Sequence, residues 1–176
     1  MKMKYAFVAL SIIIAGGCDK GQPKQVELKL YNSTGDEMGT AKMSEQPNGV
    51  EIKLKVKGVS PGPHGLHVHE IGQCEGPLFS SAGNHFNPDQ KEHGLLNEKG
   101  PENGDLPNVT ATSAGEINSK IVATNISFLE GKKTLRRKSG TSLIITESPD
   151  DGMTQPAGNS GKRIICGVIT EKVKES

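Results

Sequence analysis

Aromatic side chains are scarce in this sequence: there is no tryptophan, and only two tyrosines and four phenylalanines occur in 176 residues. Charge of one sign is lacking too. The formal net charge is +1, so no global field points to nucleic acid or to an acidic surface partner. No Ser-His-Asp set, no phosphate-binding P-loop and no GxGxxG fingerprint is present, and neither is an internal repeat nor a long low-complexity tract. What is abundant is turn chemistry, with 22 glycines and 10 prolines. Many turns joining short strands account for that mix better than helices do, and the length suits one domain with a sizeable core.

The N-terminus reads as a targeting segment. Lys2 and Lys4 precede "YAFVALSIIIA", an apolar run too short to span a bilayer comfortably. The run ends in "AGGC", which resembles the lipobox of bacterial lipoproteins, with Ala15 where leucine is usual. The resemblance implies removal of residues 1–17, lipidation of Cys18, a polar tether over residues 18–24 and a folded domain over 25–176. The expected location is therefore outside the cytoplasm, anchored to a bacterial membrane by lipid. The plainer alternative is a signal peptide with an incidental cysteine.

Beyond the tether the hydrophobic period is two. "QVELKLYN" alternates Val26, Leu28 and Leu30 with polar residues, and "GVEIKLKVKG" does the same with Val50, Ile52, Leu54 and Val56. One buried and one wet face is the mark of antiparallel sheet. "GLHVHE" continues the pattern, and "KIVATNISFL", "TSLIIT" and "RIICGVIT" read as later strands. Residues 72–108 show no clean period, and a connection that long inside a compact domain is usually functional.

All five histidines fall between His64 and His93. His67 and His69 are two apart on a strand, so they leave the same face and can offer two nitrogens to one metal. His85, His93 and Asp105 follow on the long loop. Imidazole with carboxylate suits zinc, and a set of imidazoles suits copper. His64 lies on the opposite face and reads as a residue bonded to backbone.

The motifs "HGLHVHEIGQC", "SAGNHFNP", "KEHG", "NGDLPNV" and "GNSGKRIICGVI", in this order and spacing, resemble the copper/zinc superoxide dismutases over about residues 48–170. The resemblance implies an all-β fold, a Greek-key β-sandwich or barrel with long metal-binding and active-site loops. It implies superoxide as substrate. By position, His67 and His69 match the first copper pair, and His85 matches the imidazole that bridges copper to zinc and donates a proton. His93 and Asp105 match zinc ligands, Arg163 matches the guanidinium that attracts superoxide, and Asp150 matches a carboxylate behind one copper and one zinc histidine.

Two positions depart from the family. Glu102 stands in "PENGD" where the family has a zinc-binding histidine, and Thr146 stands in "LIITES" where it has the fourth copper histidine. Zinc accepts carboxylate oxygen, so His85, His93, Glu102 and Asp105 remain a reasonable zinc set. Threonine is a poor copper ligand, which leaves His67, His69 and His85. Zinc is therefore expected, and copper only at a weakened site.

With Cys18 assigned to export, Cys74 and Cys166 form an even pair on the oxidising side and are expected to be bridged, a zinc-thiolate role being the alternative. The basic run Lys132, Lys133, Arg136, Arg137 and Lys138 reads as a solvated loop, with contact to anionic lipid as the functional alternative. The sequence leaves three functions open: a dismutase with reduced or absent activity, a working dismutase despite Thr146, and a metal-buffering or metal-delivery lipoprotein. It leaves the oligomeric state open as well.

Overall fold

The computed structural model describes residues 25–169. The leader, Cys18, the tether and residues 170–176 lie outside the described residues. Eight strands form: β1 (Gln25–Asn32), β2 (Glu37–Gln46), β3 (Gly49–Lys57), β4 (Gly62–His69), β5 (Asp105–Ala111), β6 (Glu116–Ala123), β7 (Thr141–Thr146) and β8 (Arg163–Ile169). The single short helical turn among the described residues is Ser80–Ala82. The all-β expectation holds.

Every pairing is antiparallel, in the order β5-β4-β7-β8-β1-β2-β3-β6. β5 and β6 follow one another through a tight connection closed by the Gly115 N–H to Thr112 O bond, and the sheet is a nearly closed barrel. The alternation seen in the sequence sets its inside. Leu30, Ile52, Leu54, Leu66, Leu143 and Ile145 are fully buried in one apolar core. Phe86, from the long loop, joins the same core.

Register fixes which ends of the strands lie together. Gln25 pairs with Ser44, Val50 with Ala123, and Thr141 with Ile169. The start of β1, the turn between β2 and β3, the end of β6, the start of β7 and the end of β8 therefore share one end of the barrel. The connection of residues 124–140 crosses that end. It is tied down by Glu45, whose carboxylate accepts the Ser127 hydroxyl at 2.9 Å and the Phe128 N–H at 2.6 Å.

Two strands were not legible, β2 and β5. In β2 only Ala41 and Met43 are buried, so the apolar period is too faint to read. Its Gly39 sits at a register shift opposite Leu30, with φ of 153°, where a side chain would run into the Lys55 carbonyl. β5 contains Pro107 and hides inside the aperiodic stretch. The strand expected over "KIVATNISFL" in fact spans Glu116–Ala123. Ile126 and Phe128 are buried as loop residues rather than strand residues.

Candidate metal centre

β4 carries the first two histidines. His67 pairs in register with Asp105 of β5 and Ile144 of β7, and His69 with Ser142 of β7. Both are buried and turned outward from the barrel, where the long loop covers them. The loop is anchored by a bridge between His69 and His85 and by an exchange of backbone bonds between Val68 and Phe86 and Gly104. A small apolar cluster of Phe79, Ala82, Ile144 and Cys166, with Cys74 packed against it, seals the loop on the sheet. Cys74 and Cys166 are joined by a disulfide, with 5.7 Å between their Cα atoms. Closing a 92-residue separation stabilises the fold by about 4–5 kcal/mol in the chain-entropy account.

Three overlapping donor groups result among the described residues; one is His67, His93, Asp105 and Asp150, and the two that match the expected metal sets share one ring. Ligand atoms of His67, His69 and His85 lie within 4.8 Å of one another, and so do those of His85, His93, Glu102 and Asp105. The His85 ring centroid is 4.2 Å from that of His67 and 4.9 Å from that of His69. In the second set, His85 Nδ1 is 2.8 Å from Glu102 and 3.1 Å from Asp105. His93 Nδ1 is 3.2 Å from Glu102 and 2.9 Å from Asp105. The Gly94 and Glu102 N–H groups donate to the second Asp105 oxygen, fixing that carboxylate.

The residues fit metal in both sets. His67 Nδ1 is a buried nitrogen with no hydrogen-bond partner among the described residues, an orphan of the kind that ordinarily finds one. His69 Nδ1 donates to the Gly83 carbonyl, which leaves Nε2 for a ligand bond. Burial first, then the charges of His85 and Arg163, push His69 down to about 2, so its ring is neutral as a metal ligand must be. In the second set the two carboxylates and two imidazoles are a donor mix that zinc accepts.

Behind the rings stands Asp150. Its carboxylate accepts His67 Nε2 at 2.7 Å and His93 Nε2 at 3.2 Å, and the Gly152 N–H at 2.7 Å. Burial opposes its ionisation, but those hydrogen bonds outweigh it and hold the carboxyl far below the usual range.

Arg163 at the start of β8 donates from Nη1 to Phe79 O at 2.8 Å and from Nη2 to Gly83 O at 2.9 Å. It lines a cavity of about 480 Å³ together with His85, Glu70 and Glu102. Thr146 ends β7. It is buried, and its hydroxyl donates to the Ser148 carbonyl at 3.0 Å. His64 takes no part in either set. Its two ring nitrogens face the carbonyls of Thr146 and Ser60 at 2.9 and 2.8 Å.

Sequence reasoning missed the residues that hold the ligands in place. Asn87 donates to Glu102 at 3.0 Å, Asn108 donates to the Asp150 carbonyl and accepts its N–H, and Gln155 binds the His93 backbone. Amides of this kind have no spacing signature.

The metal-free centre carries protons that zinc must displace. Burial opposes charge on His93, but Asp105, Asp150 and Glu102 raise it to about 11, and Asp105 with Glu102 raises His85. Both rings are thus charged at pH 6, and their contribution to metal-free stability is full below 6.5 and is lost as pH rises through the folded values. Zinc uptake at pH 6 is expected to release about two protons, and zinc affinity to fall on acidification. Calorimetry in two buffers of different ionisation heat measures this; zero release would contradict the protonated pair.

A β-barrel with two donor sets on its outer face, joined through one imidazole, is the scaffold of a binuclear metalloprotein. The chain belongs to the copper/zinc superoxide dismutase family, whose profile, copper/zinc superoxide dismutase (SODC), matches residues 37–169. It is 42% identical over 150 residues to a copper-zinc superoxide dismutase of Aquifex aeolicus, covering 84% of this chain and 88% of the relative. The crystal structure of a superoxide dismutase-like protein from Bacillus subtilis superposes with a TM-score of 0.79 at 36% identity, covering 81% of this chain and 96% of that one. The copper/zinc superoxide dismutase from Brucella abortus gives 0.70 at 31% identity, over 83% and 99%. Family membership implies copper and zinc as the metals and superoxide as the substrate.

Proposed function

We propose that this protein is an exported, zinc-binding member of the superoxide dismutase family in which the copper site has lost a ligand, so that dismutation is slow or absent. The observation that supports this is Thr146. At the end of β7 it offers a hydroxyl already donated to Ser148 O, and the all-imidazole donor set among the described residues consists of His67, His69 and His85. Zinc would be held by His85, His93, Glu102 and Asp105, and copper by the three remaining imidazoles.

Dismutation converts two superoxide ions and two protons into dioxygen and hydrogen peroxide, and bound copper would supply the one-electron exchange that zinc does not. This chain's residues do the rest. Arg163 attracts the anion into the cavity, its guanidinium aimed by the Phe79 and Gly83 carbonyls. His85 turns Nδ1 to Glu102 and Asp105, which leaves Nε2 either to hold copper or, when free of it, to carry a proton. Asp150 fixes the tautomers of His67 and His93.

A working dismutase is the second reading, favoured by Arg163 and His85 lining one cavity. Elemental analysis of purified protein, with and without added copper, separates the two. One zinc and little copper per chain is expected. A full equivalent of tightly held copper would favour the second reading.

The anchor is tested separately. With Cys18 lipidated, the wild type is expected in the membrane fraction, and Cys18→Ser is expected to release the chain or block its maturation. Wild type recovered unmodified and soluble would remove the lipoprotein reading.

A further inference from the structure

The basic run lies on the connection of residues 124–140, and the function above leaves it unused. Lys132 and Lys133 turn to Asp89, at 3.0 and 3.6 Å. The next three cations line a cleft of about 380 Å³: Arg136, Arg137 and Lys138 stand over an apolar floor that includes Phe128, Leu135 and Ile169. Arg137 is held over the Phe86 ring, 5.3 Å from its centroid. The Arg137, Lys138 and Ser139 side of the cleft continues into a second groove that reaches Ile71 and the single acid Glu70. Leu129, which follows Phe128 in the chain, is 52% exposed. Cations over an apolar floor, with an exposed leucine next to it in sequence, are the chemistry of a surface that meets lipid headgroups.

Topology supplies the second argument. Residues 124–140 cross the same end of the barrel at which β1 begins. Cys18 precedes Gln25 by seven residues, a reach of about 25 Å at full extension. A chain anchored at Cys18 would keep this end of the barrel within about 25 Å of the membrane.

We infer that the cleft formed by Arg136, Arg137 and Lys138 is a docking surface for anionic phospholipid, which orients the barrel end-on to the bilayer. The orientation rests on the reading of Cys18 as the anchor, while the lipid contact itself does not. Headgroup phosphate accepts from the guanidinium and ammonium groups, and each cation near an anionic surface adds about fivefold to binding.

The test uses the full chain carrying Cys18→Ser, which removes acylation, and sedimentation with phosphatidylglycerol or phosphatidylcholine vesicles. Preferential binding to phosphatidylglycerol is expected, and Arg137→Gln with Lys138→Gln is expected to weaken it by roughly thirty-fold. Zinc content, measured on the same samples, should be unchanged, which keeps the result separate from the metal reading. If the double variant folds poorly, Lys138→Gln alone serves, with a loss of about fivefold. Equal binding to both vesicles, or binding that the variants leave intact, overturns the inference. So does displacement by millimolar inorganic phosphate, which would make the cleft a site for the free anion.

Discussion

Thr146→His is expected to raise copper occupancy and the dismutation rate together. On the proposed assignment, copper in the wild type would have three imidazoles, from His67, His69 and His85, and a fourth nitrogen would complete the set that the family uses. The backbone is placed for the change. Thr146 is the last residue of β7, two residues beyond the Ile144 that pairs with His67; it faces Arg163 after a register shift, and its carbonyl is already held by His64. The cost is one hydrogen bond, from the Thr146 hydroxyl to Ser148 O, worth about 1 kcal/mol. Copper affinity is expected to rise by at least tenfold, since even an outer partner of a ligand is worth 10–100-fold. Electrostatic attraction by Arg163 cannot substitute, because it raises encounter rates and supplies no electron acceptor. Arg163→Ala in the Thr146→His background should lower the rate at unchanged copper content. Equal rates for copper-loaded wild type and Thr146→His would show that the missing ligand does not matter and make this an ordinary dismutase.

Glu102→Ala is expected to weaken zinc binding about 100-fold or more and to lower thermal stability of the zinc-loaded protein. Glu102 touches both ring nitrogens of the second set, at 2.8 and 3.2 Å, and is itself steadied by Asn87. Its loss removes one of four donors and one of two negative charges facing the ion. Glu102→His restores the family's donor and should recover most of the affinity. The readout is zinc retained against a chelator, paired with the thermal midpoint with and without zinc. Unchanged zinc retention in Glu102→Ala would mean that His85, His93 and Asp105 suffice with water.

The fold was readable where one face of a strand is strongly apolar. Val50, Ile52, Leu54 and Val56 announce β3, whereas Ala41 and Met43 are too few to announce β2. The loops were readable as loops, but their closure was not. The contacts that fold residues 72–104 back onto β4 are backbone bonds from Val68 to Gly104 and Phe86, and a sequence carries no trace of them. For the metal centre, spacing alone gave His67 and His69 on one face. Clustering on the loop made His85, His93 and Asp105 candidates, but adding Glu102 and dividing the ligands into two sets needed the family resemblance, because residues up to 38 positions apart meet only through tertiary structure. Asn108 and Gln155 stayed invisible for the same reason.

Asp150 spans the two donor sets with a single carboxylate, one ring on each side. A free energy of coupling between the two ions follows. Whichever ion enters first locks Asp150 and, through it, the ring that the other ion needs, so each favours the other by the same factor. Zinc in its set would therefore tighten copper, and copper would tighten zinc in equal measure. With the copper set one donor short, the stronger zinc set becomes the effector of the weaker one. On the proposed assignment the copper affinity would then follow the zinc supply, and a cell short of zinc would hold copper here less tightly.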